Sequence, residues 1–223
     1  MSDEGGLRGE LGLTGLEPAP VLRARLLEWR NSQELSLTGS LSRAISLRFL
    51  AHTRILPRVR GMKVCLFRAL RGEIDLSLEI ASALHAAGAL LHYPRVVDRA
   101  QSQLAMVAVR EYPVTRWQRG AHGIDEPPGD WTIVDPAQLD VIFVPGLAYG
   151  CSGERIGMGA GYFDRYLLKA PQALRVALSR DAELFPRLEQ NPWDQAVDWI
   201  FTETREIPVF RTKALSSRFG VPV

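Results

Sequence analysis

Apolar and polar positions change period several times along the chain, and each change marks an element. From Val21 the run VLRARLLEWRNSQEL sets Leu22, Leu26 and Trp29 on one face of a 3.6-residue period. Arg23, Arg25 and Arg30 fall beside or opposite that face, and the pattern predicts a helix. A second amphipathic run, SLSRAISLRFLAH, repeats Leu41, Ile45 and Phe49 at the same period, with Ser40 or Ser42 placed to cap it. After Gly61 the pattern turns β-like in MKVCLFRAL. The next helix, LSLEIASALHAAG, starts under a cap from Asp75 or Ser77 and stops at Gly88. LLHYPRVV follows as a strand, so a βαβ unit with a right-handed crossover is expected. LAMVAVREY, DVIFVPG, LRVALS and WIFTE read as further strands, and YFDRYLLKA as a helix ended by Pro171. DVIFVPG is nearly all apolar, as a strand covered on both faces must be. This alternation predicts an α/β fold: a single domain with a mostly parallel sheet flanked by helices on both faces. Residues 1–18 are expected to form a flexible tail, residues 19–210 the domain, and residues 211–223 a C-terminal tail.

Composition changes this picture little. With 223 residues and 46% hydrophobic content, the chain can bury one sizeable core. The net charge of +2 does not demand nucleic acid or an anionic membrane as partner, and with the basic residues balanced by 25 acids neither partner is expected. Only Lys63, Lys169 and Lys213 are lysines, so arginine supplies the other 24 of 27 basic residues. Any phosphate the protein grips will therefore meet mostly guanidinium forks. Cys65 and Cys151 form no Cys-x-x-Cys pair, and His52, His85, His92 and His122 are scattered, so no zinc cluster is expected. Two lone thiols fit a reducing compartment. The start, MSDEGGLRGELGLTG, lacks the features of a signal peptide, and no apolar run approaches membrane-spanning length. A soluble, cytoplasmic monomer acting on small molecules is expected.

The chemistry concentrates in FVPGLAYGCSGERIGMGAGYFDRYL, Phe143 to Leu167. A buried strand opens it, a glycine-rich loop follows, and a helix beginning near Ala160 closes it. Open α/β sheets bind ligands beyond the carboxyl ends of their strands, where this loop lies. Gly153, Gly157, Gly159 and Gly161 would let backbone amides approach an anion, and the helix would add its positive end. Arg155 could add a bidentate grip on phosphate. Asp164 facing phosphates would be repulsive without a cation such as Mg²⁺ between them. The pattern is neither GxGxxG, nor Walker A, nor a GxSxG nucleophile elbow. By spacing alone, the alternative is that the glycines merely make a tight connection.

The same segment resembles the signature of the 5-formyltetrahydrofolate cyclo-ligase (methenyltetrahydrofolate synthetase) family. That signature reads Val-Pro-Gly, an Ala-aromatic pair, then Gly-x-Arg-Leu-Gly-x-Gly-x-Gly-Tyr-Tyr-Asp-Arg, with Ile156 and Phe163 as mild replacements here. Further blocks resemble the family in order: Gly72-Glu73-Ile74-Asp75, Tyr93-Pro94-Arg95-Val96, Gly123-Ile124-Asp125-Glu126-Pro127, Asp194, and Val197-Asp198 through Thr202-Glu203. The resemblance implies an ATP- and Mg²⁺-dependent ligase that closes 5-formyltetrahydrofolate to 5,10-methenyltetrahydrofolate, releasing ADP and phosphate. It implies that Arg23, Arg155, Ile156, Gly157, Met158, Gly159, Ala160, Gly161, Tyr162 and Phe163 line ATP. By the same match Glu73 and Met158 through Tyr162 border the folate, Arg155 and Tyr162 act in catalysis, and Asp164 and Asp194 hold Mg²⁺. Three positions depart from the pattern: Ala19 replaces a lysine, Gly150 an aspartate and Trp193 a histidine. They motivate an alternative, a non-catalytic or repurposed member that binds nucleotide or folate without turnover.

Overall fold

The computed structural model describes residues 11–52, 55–209 and 219. In chain order the helices are α1 (Ala19–Ser32), α2 (Leu35–Ala51), α3 (Glu79–Ala86) and α4 (Tyr162–Leu167). The first seven strands are β1 (Lys63–Cys65), β2 (Leu90–Asp98), β3 (Gln103–Ala108), β4 (Gln118–Arg119), β5 (Asp125–Glu126), β6 (Ile133–Val134) and β7 (Val141–Phe143). The rest are β8 (Ala148–Gly150), β9 (Arg155–Ile156), β10 (Leu174–Leu178), β11 (Leu184–Phe185), β12 (Trp199–Phe201) and β13 (Glu206–Pro208).

Eight strands form the main sheet in the order β13-β12-β10-β7-β1-β2-β3-β6. The strands from β12 to β2 run parallel, and β13, β3 and β6 close the edges antiparallel. β7 and β10 are buried along their whole length, as their unbroken apolar character requires. One face of the sheet packs with α2 and α3 around Ile45, Phe49, Ile80 and Leu84; the other packs with α4 around Ile142, Tyr166 and Leu167. The expected architecture is the one observed. No helix among the described residues is long and apolar enough to cross a membrane.

From β1 the chain steps to β2 on one side, and from β7 it steps through β10 to β12 on the other. The winding direction therefore reverses between β1 and β7. Side connections cannot fill the crevice outside the carboxyl ends of these two strands, so it is the natural ligand position of the fold.

Several local expectations change. α2 begins at Leu35 after Glu34, so Ser40 and Ser42 lie inside it. Ser42 is buried, and its hydroxyl accepts the Asp75 amide at 3.1 Å. α3 begins at Glu79; Asp75 instead accepts the Ser77 amide at 2.8 Å in a turn before the helix. Residues 11–18 are not a loose tail. Leu13 is buried with Leu22, Leu26, Phe185 and Leu188, because α1 leaves an apolar stripe that the preceding chain covers. Phe219, assigned to the C-terminal tail, lies in the same core cluster as Phe49 and Phe143. Residues 1–10 and the remainder of the expected C-terminal tail lie outside the described residues.

Candidate active site

The glycine-rich segment divides in two. β8 and β9 pair as a hairpin, with Ala148 opposite Ile156 and Tyr149 opposite Arg155. Gly153 sits in the hairpin turn at φ +94°, where a Cβ would lie 2.6 Å from the Val197 carbonyl. It therefore serves the turn rather than the anion cradle. The candidate cradle is residues 157–161, running from the end of β9 to α4. Gly161 precedes α4 at φ +71°, in the left-handed region that glycine enters without strain. α4 is only six residues long and starts at Tyr162, so its dipole adds less than a helix from Ala160 would.

Gly157, Gly159, Ala160 and Gly161 line a cleft of about 430 Å³. The amides of residues 157–161 donate no hydrogen bond to the chain among the described residues. The guanidinium groups of Arg23, Arg155 and Arg165 line the same cleft. Arg23 Nε donates to the Gly157 carbonyl at 2.9 Å, which fixes α1 against the loop. Arg165 Nη1 donates to the Ala160 carbonyl at 2.8 Å. A larger concavity of about 560 Å³ lies by Lys63 and Leu90, at the amino ends of β1 and β2. It is at the wrong end of the sheet for a switch-point ligand.

Arg155 is buried, and its Nη2 donates to Asp164 Oδ1 at 2.5 Å and its Nη1 to the Pro145 carbonyl at 3.2 Å. Its Nε has no partner among the described residues. Gly157 keeps room for this group: a Cβ there would lie 2.5 Å from Nη1. Asp164 Oδ1 also accepts the Gln195 amide at 3.1 Å. Asp194 Oδ2 accepts the Asn191 amide at 2.7 Å and its side-chain nitrogen at 3.2 Å. Both aspartates line the cleft, and each keeps one carboxylate oxygen uncommitted among the described residues. No group of three His, Cys, Asp or Glu converges among the described residues. Two carboxylates suit Mg²⁺, which takes one or two from protein and completes its shell with phosphate oxygens and water.

Glu73 lies apart, at the β1–β7 crevice, beside Arg30, Phe67, Pro145, Gly146 and Glu183. Its Oε2 accepts the Leu70 amide at 2.8 Å, and its Oε1 is 3.8 Å from Arg30 Nη1. Burial pushes this carboxyl above the usual range; the Leu70 amide and Arg30 pull it down, and Glu183 adds to the rise.

Ile156 lines the cleft, and Met158 stands exposed beside it. The Tyr162 hydroxyl lies 3.1 Å from His122 Nε2, on the side of the β4–β5 hairpin. Phe163, expected at ATP, instead packs against both core clusters, since its position on α4 faces the sheet. Ala19 does line the cleft, whereas Arg25 donates to the Leu11 carbonyl outside it. At Gly150 a Cβ would run into the Glu154 carboxylate, so glycine at this position follows from Glu154. Sequence reasoning missed Arg165 and Asn191 in the cleft and Arg30, Arg180 and Glu183 near Glu73. Arg165 directly follows the aspartate of the singled-out motif and was within reach; the others carry no local signal.

The fold and site thus define an α/β protein with a glycine-lined, arginine-rich cleft between β9 and α4. A model of the 5-formyltetrahydrofolate cyclo-ligase family matches residues 17–203, and the chain belongs to that family. Two curated relatives bear the name 5-formyltetrahydrofolate cyclo-ligase. The protein from Mycolicibacterium smegmatis is 40% identical over 91 residues, which span 40% of this chain and 47% of that one, so the chain covers about half of it. The Mus musculus protein is 26% identical over 89% of this chain and 92% of its own. Among solved structures, the Aquifex aeolicus 5,10-methenyltetrahydrofolate synthetase superposes with a TM-score of 0.74 at 27% identity, covering 87% of this chain and 94% of that one.

Proposed function

We propose that the protein is an ATP- and Mg²⁺-dependent 5-formyltetrahydrofolate cyclo-ligase that forms 5,10-methenyltetrahydrofolate, ADP and phosphate. The observation that carries this reading is the run of uncommitted amides at residues 157–161 in a cleft with three guanidinium groups. Amides without a partner among the described residues, beside fixed positive charge, suit a polyphosphate.

The chemistry fits such a cradle. A formamide oxygen is a poor leaving group. Transfer of a γ-phosphoryl group to it lets it depart as phosphate once N10 attacks the formyl carbon within the same molecule. The protein must align the phosphoryl group and stabilise its charge. Arg155 would do so as a catalytic residue, with Arg23 and the loop amides placing the phosphates. Asp164 and Asp194 would hold Mg²⁺, which neutralises phosphate charge. Tyr162 and residues 158–161 would border the folate, and Glu73 would hold its pterin or formyl end, accepting hydrogen bonds from the pterin N–H groups. The cavity at Glu73 is about 10 Å³, room for about one water, so folate entry there requires the crevice walls to part. The protein would work as a cytoplasmic monomer on these small molecules.

Ala19 in the cleft favours the non-catalytic alternative, because the family lysine is missing from its place. Arg165 on the same cleft keeps a further cation there. The deciding experiment mixes protein, MgATP and 5-formyltetrahydrofolate and follows the methenyl chromophore. Product formation is expected; calorimetric binding of MgATP or folate without product would establish the alternative.

Trp193 is 65% exposed and lines the cleft, so nucleotide binding should change its surroundings. MgATP is expected to alter the intrinsic fluorescence. Trp193→Phe should remove that change while calorimetry still shows binding. A signal that survives the substitution would move the nucleotide away from Trp193.

A further inference from the structure

Four charged side chains meet outside the nucleotide cleft, over the carboxyl ends of β1, β7 and β10. Arg30 comes from α1, Glu73 from the connection after β1, and Arg180 and Glu183 from the turn after β10. Arg30, Arg180 and Glu183 are each at most 5% exposed. Burying charge is costly unless each group is paired, and here the pairing is dense. Arg30 donates to Glu183 Oε1 from Nε at 3.0 Å and from Nη2 at 2.7 Å. The same Nη2 reaches the carbonyls of Gly146 at 2.9 Å and Leu147 at 3.2 Å. Nη1 lies toward Glu73. Arg180 anchors the other side, with Nη1 on Glu183 Oε1 at 3.0 Å and Nη2 on the Gly72 carbonyl at 2.6 Å.

Arg30 thus touches both walls of the crevice. Gly72 packs on its aliphatic stem: at φ +80°, a Cβ there would lie 2.7 Å from Arg30 Cγ. Gly146 and Leu147 lead from β7 into the β8–β9 hairpin and the cradle. Two turns earlier on α1, Arg23 holds the cradle itself through Gly157. One helix therefore fixes the nucleotide loop at one point and the Glu73 turn at another.

We propose that Arg30 is a positioning residue for folate binding: clamped by Glu183 and two backbone carbonyls, it holds the Glu73 carboxylate at the crevice in register with the glycine cradle. The proposal rests on the reading that Glu73 receives the folate. The groups acting on Glu73 are Arg30 from α1, the Leu70 amide from its own turn, Glu183 from the turn after β10, itself paired with Arg180, and Tyr149 from β8, whose hydroxyl donates to Val144. Glu73 must be ionised to accept hydrogen bonds with both oxygens. Removing the Arg30 charge raises its pKa further, so the acid limb of kcat/KM for folate moves to higher pH. Removing the Glu183 charge moves that limb to lower pH. A purely structural role moves neither.

The test compares Arg30→Lys, Arg30→Gln, Glu183→Gln and Glu73→Gln. Arg30→Lys keeps the charge and loses the fork; KM for 5-formyltetrahydrofolate should rise about 10- to 100-fold, the range of a lost charge-assisted hydrogen bond. Its acid limb should stay near that of the unsubstituted protein, and calorimetric MgATP affinity should be kept. Arg30→Gln and Glu183→Gln should shift the limb in opposite directions. The Glu73 carboxyl, titrated by ¹³C NMR in the unliganded protein, should shift the same way without reference to turnover. A folded Arg30→Gln with unchanged folate KM and limb overturns the proposal. If Arg30→Gln does not fold, a Glu183→Gln limb that stays or rises overturns it. Unaltered folate kinetics in Glu73→Gln would instead sink the assignment of Glu73.

Discussion

Arg155→Lys is expected to leave the protein folded and to slow methenyl formation by about 100- to 1000-fold, the loss that follows removal of one preorganised group facing developing charge. The guanidinium spans two acceptors at once, Asp164 Oδ1 and the Pro145 carbonyl. An ammonium is a point charge and cannot keep both contacts while presenting a donor to phosphate. It does keep a cation opposite Asp164, so stability should change little. Arg155→Ala removes that cation. Because the Asp164 side chain is 20% exposed, a cost at the low end for a broken buried pair applies, about 3 kcal/mol. For a chain of this size that lowers Tm by roughly 6–12 °C. Asp164→Asn completes the set: it keeps an acceptor for Arg155 but loses the charge offered to Mg²⁺. It should fold, lose activity and demand more Mg²⁺. The chromophore assay and a calorimetric melt separate the three variants. A rate for Arg155→Lys close to that of the unsubstituted protein would remove Arg155 from the phosphoryl site.

Gly159→Ala is expected to weaken MgATP binding by about 10- to 100-fold, with a smaller loss of stability. Gly159 holds φ +99°, and a Cβ there would lie 3.1 Å from the Arg23 guanidinium. Such a backbone costs a side-chain-bearing residue about 1–3 kcal/mol, so the loop will relax away from its present shape. Relaxation disperses the amides of residues 157–161 and disturbs the Arg23–Gly157 contact. Gly153→Ala is the control, with φ +94° but a place in the β8–β9 turn against Val197. It should lower Tm while leaving MgATP affinity unchanged. Equal loss of nucleotide affinity in both variants, measured by calorimetry, would show that the cradle is not where the triphosphate sits.

Much of the site was legible because glycine spacing reports local backbone need. Gly157, Gly159 and Gly161 recur where the chain turns sharply into α4, and all three line the cleft. Spacing does not distinguish a cradle glycine from a turn glycine, so Gly153 was grouped with them although its neighbour is the Val197 carbonyl. Phe163 was misplaced because a six-residue helix is too short for its buried face to show as a period. The period places Arg30 beside or opposite the apolar face of α1 and does not mark it as buried, yet it is 5% exposed. Residues 11–18 read as the end of a Gly-, Leu- and acid-rich flexible tail, yet Leu13 is buried with Leu22 and Leu26 of α1 and Phe185 of β11.

Alternation of period determined the α/β class, the buried central strands and the strand that launches the glycine loop, since each follows from which side chains must leave water. Only the tertiary structure decided which partners meet. Arg30 and Glu183 stand 153 residues apart and share a 2.7 Å ion pair. Periodicity encodes burial along one element but not the identity of the surface it lands on. A long cation with five donors is buried only where the fold brings carboxylates and carbonyls from other elements to satisfy it.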